Sequence, residues 1–169
     1  MSNSVRLLLV LVCLAIFQNL PAQATRKDYV PLRVGYVNDF IRIYTTEEDE
    51  ILDSMIVSFE KRTSIQIAII TVDTSIVDQQ DFDNWTLRVA RKWGIGQKDK
   101  NNGVLIAICP GYRRMRIQNG YGIEKILSDQ ETQQIADNDF IPFFKEAKFF
   151  NGTKNGLEVL FKKLDKSSL

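Results

Sequence analysis

The sequence predicts an α/β protein in which helices cover both faces of a short central mixed sheet, giving a three-layer α/β/α sandwich. Two short apolar runs rich in β-branched residues, 65–72 and 104–109, are typical of strands buried on both faces. Amphipathic helical patterns precede, separate and follow these runs. The order strand, helix, strand favours a crossover between two parallel strands.

The composition is that of one ordinary globular domain. Of the 169 residues, 44% are hydrophobic and 25% are charged. The net charge of +1 lacks the basic footprint of a nucleic-acid binder, so we expect no nucleic-acid partner. The chain has no histidine, which excludes Ser-His-Asp and Cys-His catalysis and every metal site that needs imidazole. Any chemistry therefore depends on oxygen ligands and backbone groups.

The N-terminal segment 1–24 predicts a secretory signal peptide. Arg6 precedes an unbroken apolar run over 7–17, and Ala22-Gln23-Ala24 provides a small-residue cleavage site. The run is about half as long as the ~20 residues that cross a bilayer, so we favour a cleaved signal over a retained anchor. We predict an exported protein, periplasmic or secreted, with no stable membrane anchor after cleavage.

The domain begins after an irregular lead-in. Residues 25–35 show no helical period, and a single domain is predicted over residues 36–165. Thr45 to Glu48 has the form of a capping box. The apolar residues that follow are spaced for one helix face over about 46–62: Ile51, Leu52, Met55, Ile56 and Phe59.

The second half of the chain contains one more predicted strand among helices. Residues 114–119 alternate between polar and apolar, which predicts an antiparallel partner for the strand at 104–109, joined to it through 110–112. Ser128 to Glu131 forms a second capping box. Two further segments have the apolar stripe of a helix. The first stripe consists of Phe82, Trp85, Thr86, Val89, Ala90 and Trp93. The second, near the C-terminus, consists of Thr153, Gly156, Leu157, Leu160, Phe161 and Leu164.

Several segments together resemble the TPM domain family. The matching blocks, in the family's order, are Val37-Asn38-Asp39-Phe40, residues 63–68, Trp93-Gly94-Ile95-Gly96, residues 101–106, residues 114–117, and Gly120 to Glu124 running on to Leu127-Ser128-Asp129. The resemblance covers residues 36 to about 160 and implies an α/β/α sandwich about a mixed sheet. It implies no single activity, because members of the family are described in different ways. Plant members from the thylakoid lumen, linked to photosystem II repair, are described as acid phosphatases. Some exported bacterial members are described as calcium binders and others as accessory domains.

Two departures from the family bear on function. The sequence lacks the C-terminal membrane helix and glycine-rich tail of many bacterial relatives, which argues against a membrane-tethered role. Where relatives often carry Asp before an Asn-Gly pair, this chain has Asn101, and Asp99 stands two residues earlier. A ligand bound there would be held more weakly or in a shifted position.

Four oxygen-bearing residues are candidate metal ligands. Asp39, Asp99, Asn102 and Asp129 fall in predicted loops at strand or helix ends, and oxygen donors without His or Cys favour calcium or magnesium. The structural alternatives are a turn at Asp39, a solvated charge at Asp99, an ordinary Asn-Gly turn and a helix N-terminus at Asp129. No other cofactor is indicated.

Candidate catalytic residues follow from the phosphatase alternative. Asp39 and Asp129 could hold a cation that activates water, and Arg116 could clamp a phosphate near the backbone of 120–122. The alternative interpretation of that segment is a strand-to-helix turn, with Arg116 paired to a surface acid. Cys109 ends a predicted buried strand and is expected to be inert.

Three functional hypotheses result. The first is an exported TPM-like domain that binds a divalent cation, calcium above all. It would act on an envelope or secreted protein, as an accessory or interaction module in envelope protein maintenance. The second is a cation-dependent acid phosphatase that uses the same residues. The third is a metal-free protein-binding domain with an exposed apolar patch at Phe143, Phe144, Phe149 and Phe150.

Overall fold

The structure, a computed structural model, describes residues 29–165 and contains a four-stranded mixed sheet in the order β1-β2-β3-β4. Strands β1, β2 and β3 are parallel, and β4 runs antiparallel to β3. The predicted mixed sheet is thereby confirmed. The strand bounds are Val37–Asp39 for β1, Gln66–Thr71 for β2, Gly103–Cys109 for β3 and Arg114–Asn119 for β4.

Six α-helices accompany the sheet in the described part of the chain. Their bounds are Thr46–Thr63 for α1, Phe82–Trp93 for α2, Tyr121–Glu124 for α3, Asp129–Ile135 for α4, Ile141–Lys145 for α5 and Phe149–Asp165 for α6. Both predicted capping boxes are present, at Thr45 before α1 and at Ser128 before α4. Helix α1 ends where Ser64 adopts a left-handed conformation and its N–H bonds the Glu60 carbonyl at 2.7 Å. None of the helices within 29–165 is long and apolar enough to cross a membrane.

The sheet separates two hydrophobic cores, because alternate residues of each strand point to opposite faces. The larger core lies on the side of α1 and α6 and includes Ile67, Ile69, Ile106, Leu52, Phe59 and Leu160. The smaller core lies on the side of α2 and includes Ala68, Ile70, Leu105, Ala107, Phe82 and Trp85. Helices therefore cover both faces, which confirms the three-layer sandwich.

The lead-in is irregular but belongs to the smaller core. Val30 is buried there, and the backbone beside it is held by both tryptophans of α2. Trp85 Nε1 donates to the Tyr29 carbonyl at 2.9 Å, and Trp93 Nε1 donates to the Pro31 carbonyl at 2.8 Å. The tryptophan stripe therefore packs the lead-in against the domain.

Two elements differ from the sequence prediction. Strand β1 was not expected, because Val37 is its one apolar residue and the pattern of a buried strand is absent. A π-helical turn over Ala136–Phe140 joins α4 to α5. Pro142 follows it and has no N–H for the α-helical bond to the Asn138 carbonyl, which accounts for the shifted register. The predicted signal peptide lies outside the described residues and stays a prediction.

The capping box of α1 has a measurable contribution. Thr45 Oγ1 accepts from Glu48 N at 3.2 Å, and Glu48 Oε2 accepts from Thr45 N at 2.9 Å. Thr45→Ala should lower the free energy of unfolding by about 1 kcal/mol in denaturant titration. Ser54→Ala, at an exposed position inside α1, is the matched control and should change stability by less than about 0.5 kcal/mol. Equal losses in the two variants would contradict the cap.

Candidate functional site

The parallel strands give the sheet two ends, and the candidate residues are divided between them. Asp39 is level with Thr71 at the carboxyl end of the strands. Asn102 directly precedes Gly103, which is level with Gln66 at the amino end. Five residue steps of β2 separate these levels, or about 17 Å along the strands. The carboxyl end and the amino end are therefore separate sites.

At the carboxyl end, Asp39 is fixed by two hydrogen bonds. The Thr71 hydroxyl donates to Oδ1, and the Tyr44 backbone N–H donates to Oδ2 at 2.9 Å. The Tyr44 hydroxyl in turn lies 2.7 Å from Thr153 Oγ1 on α6, and both residues are buried. Burial raises the pKa of Tyr44 far above the physiological range, so the phenol stays neutral. Asp39 thus sits on a rigid support that joins β1, β2 and α6.

Asp49, in the first turn of α1, shares this end. Its pKa is raised, first by burial and then by the negative charges of Asp39, Asp53 and Glu48. Its Oδ1 atom is buried and has no hydrogen-bond partner, whereas Asp53 Oδ1 accepts from the Val37 N–H at 2.9 Å. The charges that act on Asp49 are all acidic. Burial and the neighbouring acids therefore disfavour the charged form of the Asp49 carboxyl group.

The amino end is built from backbone segments in close contact. A Cβ added to Gly96 would lie 2.6 Å from the Gly103 nitrogen, and one added to Gly103 would collide with the Ile95 carbonyl. One added to Gly120 or Gly122 would collide with the carbonyls of residues 100–101. Gly96 and Gly103 are therefore required where the end of the loop after α2 meets the start of β3, and Gly120 and Gly122 where the turn after β4 meets residues 100–101.

Asn102 is part of this backbone packing. Its Oδ1 accepts from the Gln97 N–H at 2.8 Å, and its Nδ2 donates to the Ser64 carbonyl at 2.7 Å. The amide therefore joins the ends of α1 and of the loop before β3. Asp99, in the same loop, is exposed.

Asp129 also lies away from Asp39. It begins α4, whose Thr132 accepts a hydrogen bond from Asn119 Nδ2 at 2.8 Å. Asn119 pairs with Val104 near the amino end of β3. The structure therefore does not bring together the four predicted metal ligands, and the described residues contain no group of three acidic or cysteine side chains placed to hold a metal ion.

Arg116 and Asp39 lie on opposite faces of the sheet. Arg116 pairs with Ala107 of the smaller core, whereas Asp39 is level with Thr71 and through it with Ile108 of the larger core. Three strand spacings, about 14 Å, also separate β4 from β1. These two residues therefore cannot act on one phosphate, and the predicted catalytic set of Asp39, Asp129 and Arg116 is not assembled.

At the predicted anion site, the amides of both glycines already donate hydrogen bonds within the protein. The Gly120 N–H donates to the Gly103 carbonyl at 2.8 Å, and the Gly122 N–H donates to the Asn101 carbonyl at 3.0 Å. These amides hold the backbone segments together instead of pointing at a ligand. The alternative interpretation of the segment, a strand-to-helix turn, describes its geometry.

A cavity of about 540 Å³ opens at the amino end, beside the glycine turns. It lies between the C-terminal half of α2, the loop before β3 and the start of α3. Its walls include Leu87, Ala90, Arg91, Lys98, Leu105, Gln118, Tyr121 and Glu124. A volume of this size is typical of small-molecule sites. The glycine pairs were visible in the sequence, but nothing in it indicated a cavity.

Two other expectations can be placed in the structure. Cys109 is buried at the end of β3, and burial raises its thiol pKa, which disfavours the reactive thiolate. The four phenylalanines of the expected apolar patch, Phe143, Phe144, Phe149 and Phe150, are all partly buried. The exposed large apolar side chains within 29–165 are instead Tyr29, Leu32, Val34, Phe40, Ile51, Tyr121 and Ile126.

Sequence reasoning missed Asp49 as a member of the carboxyl-end group. The available signal was the run of four consecutive acids at 47–50. Acids in the first turn of a helix are explained by the helix dipole alone, so the run did not distinguish Asp49 from its neighbours. The electrostatic effect of Asp39 on Asp49 depends on β1, which the sequence pattern did not show.

Comparisons with known proteins agree with the fold. The model of the TPM domain family matches residues 37–163, and the chain belongs to this family. No curated protein matched the sequence.

Three of the similar solved structures are bacterial proteins. The solution NMR structure of the N-terminal domain of a P. gingivalis protein is 27% identical, with a TM-score of 0.71 over 86% of each chain. The NMR structure of a protein from the psychrophilic Bizionia argentinensis is also 27% identical, with a TM-score of 0.65 over 75% of this chain and 85% of that one. The N-terminal domain of a Corynebacterium glutamicum protein is 16% identical, with a TM-score of 0.56 over 83% and 88%, and shows likeness in fold alone.

The glycine packing predicts a position-specific loss of stability. Gly122→Ala forces its new methyl group against backbone carbonyls, so the free energy of unfolding should fall by about 1–3 kcal/mol. Gly35→Ala is the matched control, because its Cβ would meet one backbone oxygen at an ordinary 3.5 Å. Urea unfolding of both variants measures the difference. A Gly122→Ala protein as stable as Gly35→Ala would rule out the close approach.

The raised pKa of Asp49 predicts an unusual pH dependence. Because the folded state favours the protonated acid, the contribution of Asp49 to stability is full below its unfolded value, about 3.8, and is lost as the pH rises through the folded pKa. Asp49→Asn should therefore gain stability relative to the wild type between pH 3.5 and pH 7. Glu50→Gln, at the exposed neighbouring position, should show no such gain. Denaturant titrations at the two pH values test this, and a carboxyl NMR titration of Asp49 at or below 3.8 would contradict it.

Proposed function

We propose that this TPM domain is an exported accessory module that binds a hard divalent cation, calcium above all, at the carboxyl end of its sheet. The observation that carries the proposal is the buried Asp49 Oδ1, which has no hydrogen-bond partner and whose carboxyl pKa is raised by burial and by three neighbouring acids. A divalent cation would compensate their charge, and carboxylate oxygens are the donors that calcium and magnesium prefer. Export is supported by the signal-peptide pattern over 1–24.

The donor chemistry fits such an ion, and the donor number limits its affinity. Asp39 and Asp49 would hold the cation, with backbone oxygens and water as the remaining ligands, since no third acid of 29–165 is in place. A site with so few charged ligands belongs with the weak extracellular calcium sites, with Kd of about 10⁻⁴–10⁻³ M. The cation would tie the end of β1 to the first turn of α1.

This role is structural rather than catalytic. Calcium is a poor generator of hydroxide, and Arg116 lies on the other face of the sheet, so no observation favours the phosphatase alternative. The module would serve an envelope or secreted protein, as the family resemblance implies. A metal-free interaction domain is the function that remains if no cation binds.

Thermal unfolding with calcium, magnesium or chelator tests the proposal. A cation at about 100 times its Kd stabilises the folded state by about 2.7 kcal/mol, which raises the midpoint by roughly 5–11 °C. Asp49→Asn should abolish the shift. Asp129→Asn is the matched control, because Asp129 is an exposed acid at the start of α4 and should leave the shift unchanged.

Three results would count against this site. A wild-type midpoint that is the same in calcium, magnesium and chelator would favour the metal-free module. A shift that survives in Asp49→Asn would place the cation elsewhere. If only Asp129→Asn lost the cation-induced rise in the unfolding midpoint, the cation would bind at the amino end instead.

A further inference from the structure

The cavity at the amino end is independent of the proposed cation site, and its walls show which ligand chemistry it fits. Its apolar walls come from α2, the loop before β3 and β3 itself, through Leu87, Ala90, Ile95 and Leu105. Tyr121 stands beside the opening with 68% of its surface exposed. An apolar or aromatic group of moderate size therefore has a surface to pack on.

Two basic side chains of the cavity lack ionic partners within residues 29–165. Arg62, Arg88 and Arg114 each pair with an aspartate, at 2.6–2.9 Å. Arg91 and Lys98, which both line the cavity, make no such pair in the described chain. An anionic group entering the cavity would thus meet an uncommitted guanidinium and an uncommitted ammonium.

The anion that fits is a carboxylate rather than a phosphate. Phosphate sites use backbone N–H groups at glycine turns, and here the Gly120 and Gly122 amides already donate to carbonyls. Glu124 also lines the cavity, so Arg91, Lys98 and Glu124 together carry one net positive charge. That charge matches a monoanionic carboxylate better than a phosphate dianion, and the Arg guanidinium can contact a carboxylate through two hydrogen bonds.

We propose that this cavity binds a molecule made of a carboxylate and an apolar body. Arg91 and Lys98 contact the carboxylate. The apolar walls described above, together with Tyr121, contact the body. Gln118, from β4, lines the same space and offers an amide to a neighbouring polar group of the ligand. Such chemistry occurs in the free C-terminal residue of a peptide and in a small aromatic or aliphatic acid.

Titration calorimetry and amide NMR with N-acetyl-phenylalanine test the proposal on the full protein. The acid should bind, and shifts should be confined to the cavity walls. N-acetyl-phenylalanine amide, which lacks the charge, and inorganic phosphate, which lacks the apolar body, should each bind at least about tenfold more weakly. N-acetyl-Ala-Ala-Phe then distinguishes the sources: tighter binding than the single residue indicates a peptide C-terminus, and equal binding indicates a free acid.

Matched variants identify the contacts. Arg91→Gln and Lys98→Gln should each weaken binding of the acid about five- to tenfold, with an unchanged unfolding midpoint. Lys92→Gln is the control, since Lys92 is exposed beside Arg91 and does not line the cavity. The proposal is overturned if the amide binds as well as the acid, if phosphate binds more tightly, if Lys92→Gln weakens binding as much as Arg91→Gln, or if no binding occurs at 100-fold excess of the acid.

Discussion

Close packing of backbone against backbone at the amino end of the sheet is the constraint on which the rest of the structure depends. Gly96, Gly103, Gly120 and Gly122 sit where any side chain would collide with a neighbouring main-chain atom. This packing sets where β3 starts and where β4 ends, and so fixes their register. It also uses the Gly120 and Gly122 amides, which a glycine turn would otherwise offer to an anion. The glycines therefore serve the fold first, and the cavity is what remains beside them.

The two ends of the sheet differ in chemistry because their supports differ. At the carboxyl end, Thr71 and the Tyr44 backbone hold Asp39 near an acidic helix start, and the neighbouring acids raise the pKa of Asp49. At the amino end, Arg91 and Lys98 leave positive charge around an apolar cavity. Under the two proposals, the carboxyl end would hold a cation and the amino end an anion. A full strand length separates these two sites.

Local patterns predicted most of the fold and little of the site. Capping boxes and apolar periodicity are local signals, and they placed α1, α2, β2, β3 and β4 correctly. Strand β1 was not predicted, because it is a strand through its pairing with β2 and its own composition carries no strand pattern. The grouping of Asp39 with Asp49 depends on that pairing. Asn102 was a reasonable ligand by residue type, yet only tertiary contacts show that its amide is committed to Gln97 and Ser64.

The hydrogen bonds from Trp85 and Trp93 to the lead-in have a spectroscopic consequence. These are the two tryptophans of the chain, and both belong to the smaller-core side of the sheet. Their indole N–H groups bond carbonyls 56 and 62 residues away in sequence, so the contacts close very long loops. Intrinsic tryptophan fluorescence therefore reports on the layer formed by α2 and the lead-in. It does not report on the layer formed by α1 and α6. A folding intermediate with only the larger core assembled would show the circular dichroism of α1 and α6 without that of α2, while its tryptophans would still be open to quenchers.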